Sequence, residues 1–311
     1  MPAPLVLPSG SSQRPLTLAD APAVTAVMAA GELVDAGEVV IEEADLLADW
    51  SMPSFAIATS TVAVAGPDGK LVAYAEVSLA DRAAMAVHPG HRGAGLEEQL
   101  ARWIRERSGE AGSAVVGMPV AAGSQPDRAL EALGWEVRWT SWVLSLPDGA
   151  ALPERSLPAG FGLRVAAPED LAPCWNLLED AFLEWSRRER RSLVDWLASV
   201  VGRPGFAPWN LRVVTDADGV IVAACVIRLT EADGVREGWV DKVATRRDLR
   251  GHGIAQALLA DAFAAACEHG AVRSSLSTDS RTGALGLYER LGMEVTSTWL
   301  NRAAPTLPGR R

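Results

Sequence analysis

The chain has 311 residues, 49% apolar and 22% charged, with a net charge of −10. That length exceeds one ordinary core and suits two domains, and the composition is that of a folded globular protein, not a disordered one. An acidic balance argues against nucleic acid as the main partner, and no run approaches the roughly 18 apolar residues of a membrane span.

Residues 1–13 have neither a basic n-region nor an apolar h-region. Their Pro, Gly and Ser read as a flexible tail without a secretion signal, which leaves the cytoplasm as the expected location. From residue 14 the chain repeats itself. Arg14 to Asp20 echoes Arg164 to Asp170, and Asp68 to Ala73 echoes Asp218 to Ala223 at the same spacing. His91-Arg92-Gly93-Ala94-Gly95-Leu96 then echoes Leu249-Arg250-Gly251-His252-Gly253-Ile254, and Ala132 to Trp135 echoes Arg290 to Met293, both at a second constant spacing. A period this long means duplicated domains. The expected division is a domain at 14–146, a Pro- and Gly-rich linker at 147–162, a domain at 163–302 and a flexible tail at 303–311.

In the second copy, helices are expected around Leu171 to Phe182 and Ser192 to Val200. Strands follow at Leu211 to Thr215, Val220 to Leu229 and Gly238 to Thr245. The next helix, Gly253 to His269, carries Ile254, Leu258, Leu259, Ala262, Phe263 and Ala266 on one face. A strand at Ser274 to Ser277, a helix at Thr282 to Leu291 and a strand at Glu294 to Leu300 complete an α/β unit with a mixed sheet. Between the first two helices, Ser186 to Arg191 reads as a solvated face. Cys174, Cys225 and Cys267 lack metal spacing and read as reduced core residues; the four histidines form no zinc pattern, so no metal is expected.

The segment that carries chemistry is Arg250-Gly251-His252-Gly253-Ile254-Ala255, between a strand and a long amphipathic helix. Small residues let the backbone approach a ligand, and a helix start offers unpaired N–H groups and a positive dipole end, which suits phosphate. There is no third glycine of a dinucleotide fingerprint and no Gly-Lys-Ser/Thr of a P-loop.

This Arg-x-x-Gly-x-Ala run resembles the coenzyme A pyrophosphate signature of the GCN5-related N-acetyltransferases (GNAT). Gly238 to Thr245 resembles the strand that leads into that loop. Asp279 to Ala284, followed by Leu287-Tyr288-Glu289-Arg290-Leu291-Gly292-Met293, is similar to the family's final helix with its tyrosine. The duplicated layout resembles the tandem, mycothiol-synthase-like members of actinobacteria. The resemblance implies two tandem GNAT-like domains and acetyl-CoA as acyl donor. The N–H groups of Gly251, His252, Gly253, Ile254 and Ala255, after Arg250, would hold the pyrophosphate. The main chain of Val243, Ala244 and Thr245 would pair with the pantetheine arm, Tyr288 would protonate the departing thiolate, and Asp241 would take a proton from the amine or hold its ammonium form. Ser280 stands where many relatives carry asparagine, and Thr245 replaces a usual aliphatic residue.

The expected activity is transfer of acetyl from acetyl-CoA to an amine of a small molecule, by direct attack, in a monomer or homodimer. Alternatives are a non-catalytic acyl-CoA-binding protein, another acyl donor, or a protein amine. Trp209 and Trp239 are candidates to line the acceptor pocket. The first copy keeps Arg92-Gly93-Ala94-Gly95, but Glu97 replaces the last small residue and Leu130 stands at the place of Tyr288. It is expected to be a degenerate support.

Overall fold

The structure is a computed structural model that describes residues 2–153, 155–232 and 234–308. It divides into two compact units, Met1–Ser141 with Thr298–Arg311, and Trp142–Ser297. In the first unit the elements are β1 (Ser12–Arg14), α1 (Ala21–Asp35), α2 (Glu43–Trp50), α3 (Ile57–Ser60), β2 (Thr61–Ala65), β3 (Leu71–Ser78), β4 (Arg82–Val87), α4 (Leu96–Glu110), β5 (Val115–Ala121) and α5 (Gln125–Ala132). The strand β6 (Glu136–Ser145) runs across the division. The second unit holds β7 (Gly162–Val165), α6 (Leu171–Leu183), α7 (Leu193–Val200), β8 (Leu211–Thr215), β9 (Ile221–Ala232), β10 (Val235–Thr245), α8 (Ile254–Glu268), β11 (Arg273–Asp279) and α9 (Leu285–Arg290). The last strand, β12 (Glu294–Pro305), crosses back into the first unit.

The first unit's sheet is antiparallel through β1, β2, β3 and β4, after which β4 meets β5 in parallel. Its outer member is the end of β12, antiparallel to β5 from Trp299 opposite Ala121 to Pro305 opposite Val115. The second unit repeats the plan: β7, β8, β9 and β10 are antiparallel neighbours, and β10 meets β11 in parallel. There β11 is flanked by β6, from whose end the Leu146 N–H donates to Ser274 O at 2.9 Å. Both sheets are therefore mixed, as the strand-pair and strand–helix pattern predicts.

The sequence repeats have counterparts in local structure. Arg14 pairs with Asp20, whose carboxylate also accepts the Thr17 N–H at 2.8 Å; Arg164 pairs with Asp170, which accepts the Ala167 N–H at 2.7 Å. Each pair seals the entry to the unit's first long helix. The apolar face of α8 is buried as its spacing predicts, and each of Ile254, Leu258, Leu259 and Phe263 contributes about 1.5–3 kcal/mol by leaving water. The helix lies close on β10 because Gly238 has no side chain: a Cβ there would stand 2.6 Å from Ala266 Cβ.

Several boundaries differ from the sequence-based division. The expected tail at 303–311 continues β12 to Pro305; beyond it the Leu307 N–H donates to Arg105 O, and residues 309–311 lie outside the described residues. Residues 298–302 belong to the first unit, and Trp142–Leu146 to the second, because hydrogen-bond partners rather than sequence order decide membership. The expected flexible tail at 1–13 is anchored by buried Leu5 and by the Ala3 N–H donating to Glu106 Oε2 at 2.9 Å, with Met1 outside the described residues. Linker residues 147–162 are fastened to the second unit by buried Leu152, and Gly162 already starts β7. Cys267 is exposed on the outer face of α8, unlike buried Cys174 and Cys225. Ser186 to Arg191 is exposed at Arg187, Glu189 and Arg190, as a solvated segment is, and is also tied down. Arg188 pairs with buried Glu179 at 2.6 Å, and Arg190 pairs with Asp180 over the Trp175 ring.

Candidate active site

In the second unit, β10 is paired with β9 along its length, but its parallel pairing with β11 covers only Glu237 to Val240, opposite Arg273 to Leu276. Beyond Val240 the two strands part. Val243, Ala244 and Thr245 remain bonded to Cys225, Ala224 and Ala223 on one edge and present main-chain groups on the other. Such an edge is a template for an extended ligand arm. The Thr245 hydroxyl is buried and has no hydrogen-bond partner among the described residues, so a polar ligand group there would satisfy it.

At the point of parting, β10 carries a bulge. The register passes from Val240 opposite Ile227 to Lys242 opposite Val226, which leaves Asp241 as the extra residue. A bulge disrupts the ladder locally and re-aims backbone N–H groups and side chains. Asp241 is ion-paired with Lys242. Asp241 is exposed at its surface, and the desolvation imposed by the surrounding protein, which would raise its pKa, is outweighed by the charges of Lys242, Arg228 and Arg191, which bring the carboxyl to about 2.

The strand then turns into Arg250 to Ala255. Gly251 and Gly253 have φ of +83° and +81°, left-handed values that a side chain would strain. Gly253 caps α8 without any side-chain hydrogen bond, so the first N–H groups of a 15-residue helix are left for a ligand. Arg250 does not aim its charge outward. Its Nε donates to Thr245 O at 3.1 Å and its Nη atoms to Glu184 at 2.7 and 2.8 Å, which ties the loop to the end of α6. His252 Nδ1 lies 3.0 Å from Arg250 O; a carbonyl only accepts, so Nδ1 carries the proton. Ile254 is buried in the core and contributes its N–H alone. Ser280 is exposed in the turn after β11, where the Arg281–Asp279 pair lies over Trp185.

Tyr288, on α9, is buried in the cluster that includes Cys225, Val240, Ile254 and Leu258. Burial, helped by the neighbouring Cys225, pushes its pKa up to about 12, so the phenol keeps its proton at neutral pH. Trp209 is not at this end of the unit. It stacks on His269 at 4.2 Å, just past the far end of α8, about 20 Å along the helix from the glycine loop.

The first unit repeats the loop with a different filling. Arg92 pairs with Asp35 at 2.6 Å, as Arg250 does with Glu184, but Glu97 Oε1 accepts the Gly93 N–H at 3.2 Å. The carboxylate thus occupies a donor that a phosphate would need. Leu130, at the place of Tyr288, is fully buried. Neither the bulge, the orphaned Thr245 hydroxyl nor the turn of Glu97 onto its own loop was visible in the sequence, because each depends on register or rotamer; only the identity of Glu97 gave a signal.

An open strand edge, a bulge and a phosphate-ready helix start beside a protonated tyrosine are parts that an acyltransferase drawing on a phosphorylated thioester carrier would use. The comparisons agree. The profile of the Acetyltransferase (GNAT) family matches residues 171–293. A mycothiol acetyltransferase of Salinispora arenicola is 31% identical over 252 residues, 76% of this chain and 79% of that protein. Among solved structures, a GCN5-related N-acetyltransferase from Sphaerobacter thermophilus matches with a TM-score of 0.73 and 29% identity over 98% of each chain. A tandem GNAT protein from the clavulanic acid biosynthesis pathway shares the fold at a TM-score of 0.71 and 18% identity, over 96% of this chain and 100% of its own. The chain belongs to the GNAT acetyltransferase family and is an acetyl-CoA-dependent N-acetyltransferase. No helix among the described residues is long and apolar enough to cross a membrane.

Proposed function

We propose that the second unit carries the catalysis, transferring acetyl from acetyl-CoA to the amine of a small molecule, and that the first unit is a support that does not bind coenzyme A. The observation that carries this reading is the contrast between the two glycine loops: both helices start from a left-handed glycine without a side-chain cap, but in the first unit the Glu97 carboxylate takes the N–H of Gly93.

In this reading the N–H groups from Gly251 to Ala255 hold the diphosphate, and the pantetheine arm lies along Val243 to Thr245 as an added strand. The thioester carbonyl then falls beside the bulge, where a backbone N–H polarises it. The acceptor nitrogen attacks the carbonyl carbon, the C–S bond breaks, and the Tyr288 hydroxyl gives its proton to the leaving sulfur. The proton shed by the amine passes to solvent, from which the phenolate is restored. A carboxyl at about 2 is a weak base, so of its two expected roles Asp241 holds the ammonium form of the acceptor, which gives one proton to solvent before its nitrogen attacks and a second as the amide forms. The similarity to mycothiol acetyltransferases makes a mycothiol-precursor amine the first acceptor to test.

Calorimetric titration with acetyl-CoA tests the assignment. Wild type should bind one equivalent and Gly253→Trp none. A site surviving in the variant would place binding in the first unit, and a wild type that binds no acetyl-CoA would remove the site altogether.

A further inference from the structure

The segment between β6 and β7 crosses the mouth of the glycine loop. Leu152 is buried in the second unit's core and Leu157 packs against it, so the chain is pinned on both sides of Arg155. The Gln256 side chain, in the first turn of α8, donates to Pro153 O at 3.0 Å and draws the strap onto the helix start. Pro153 and Pro158 limit the backbone freedom of the strap further.

Between these anchors the Arg155 side chain lies on the bare Cα of Gly253. A Cβ at Gly253 would stand 3.0 Å from Arg155 Cζ and 3.1 Å from its Cδ, so any side chain there would push the guanidinium aside. Arg250 and Arg246 of the same loop are paired with Glu184 and Asp248. Arg155 has no hydrogen bond or ion pair among the described residues. The guanidinium is therefore uncompensated beside the start of α8, whose first N–H groups have no side-chain cap. An anion at that helix start would meet both sets of donors, and a guanidinium fork matches phosphate oxygens in pairs.

We propose that Arg155 is a coenzyme A-binding residue supplied by the strap: it swings off Gly253 and clamps the diphosphate against the start of α8. The inference rests on the reading that acetyl-CoA sits on the second unit. The anchors at Leu152 and Leu157 keep the guanidinium within reach of the loop, so little ordering is needed on binding.

Arg155 is exposed, and Arg155→Ala should fold as wild type does, which a melting curve verifies. Three ligands separate the phosphates: coenzyme A, dephospho-coenzyme A (diphosphate retained, 3′-phosphate lost) and acetyl-pantetheine (neither). Calorimetry should show Arg155→Ala binding coenzyme A and dephospho-coenzyme A about tenfold or more weakly, by the same factor, with Arg155→Lys in between. With acetyl-pantetheine as donor, kcat/KM should be the same in mutant and wild type, which a merely structural strap would not allow. An unchanged Kd for coenzyme A overturns the proposal, as does a loss confined to coenzyme A, which would assign Arg155 to the 3′-phosphate. If wild type itself failed to bind coenzyme A, the underlying site would fall instead; if it binds and Arg155→Ala binds equally, only the role of Arg155 falls.

Discussion

Tyr288 and Asp241 are set by their surroundings in opposite directions, one held protonated and the other ionised. Tyr288→Phe removes the proton donor but keeps the ring in its cluster, so turnover should fall tenfold or more while coenzyme A affinity, read by calorimetry, stays within twofold. For Asp241→Asn the KM for the amine should rise about tenfold. The acid limb of the pH–rate profile should not move, because a carboxyl at about 2 does not titrate where the enzyme works. In the first unit, Glu76 is buried and accepts the Trp50 Nε1–H at 2.8 Å. Burial raises its pKa to about 7 against the opposing Trp50 hydrogen bond. A carboxyl raised on folding stabilises the native state below its unfolded pKa, and that contribution is lost as pH climbs through 7. Stability should therefore fall by roughly 3 kcal/mol between pH 5 and pH 8, and Glu76→Gln should flatten the curve in denaturant titrations.

Among the elements, the loop before the long helix distinguishes the two copies. Glu97→Ala removes the carboxylate that takes the Gly93 N–H and gives the first loop the small residue found at Ala255. Calorimetry of the variant should reveal a second, weaker coenzyme A site; an unchanged single site would mean that the first unit is closed by more than Glu97. Much of this scale was legible in the sequence. The glycine loop, the apolar face of α8 and the helices around Leu171 and Leu193 follow from spacing and caps, such as Ser192 accepting the Asp195 N–H. The bulge at Asp241 was not, because register is fixed by which strands part and no residue type marks it. Nor was the position of Trp209, an aromatic whose neighbour His269 is far along the chain.

For the whole molecule, the duplication was readable from the repeats but the division was not. The end of β12 is tied into the first unit by Arg302, whose Nε lies 2.6 Å from Asp127 with both side chains buried. Breaking a buried pair leaves a charge without compensation, so Arg302→Ala should cost about 3–5 kcal/mol, seen as an earlier unfolding transition of the first unit. Composition could not foretell this, because Thr298 to Pro305 reads equally well as a strand beside its own sequence neighbours.

The return of β12 also has a consequence for synthesis. The N-terminal unit leaves the ribosome first, yet the strand that completes its sheet is made only after the whole second unit. Domains usually fold as they emerge, N-terminal first. Here the nascent first unit must wait with β5 unpaired on one edge, an exposed strand that invites chaperones or a neighbouring chain. The second unit needs only residues up to Ser297, so the unit begun second is the first to have all its residues synthesised.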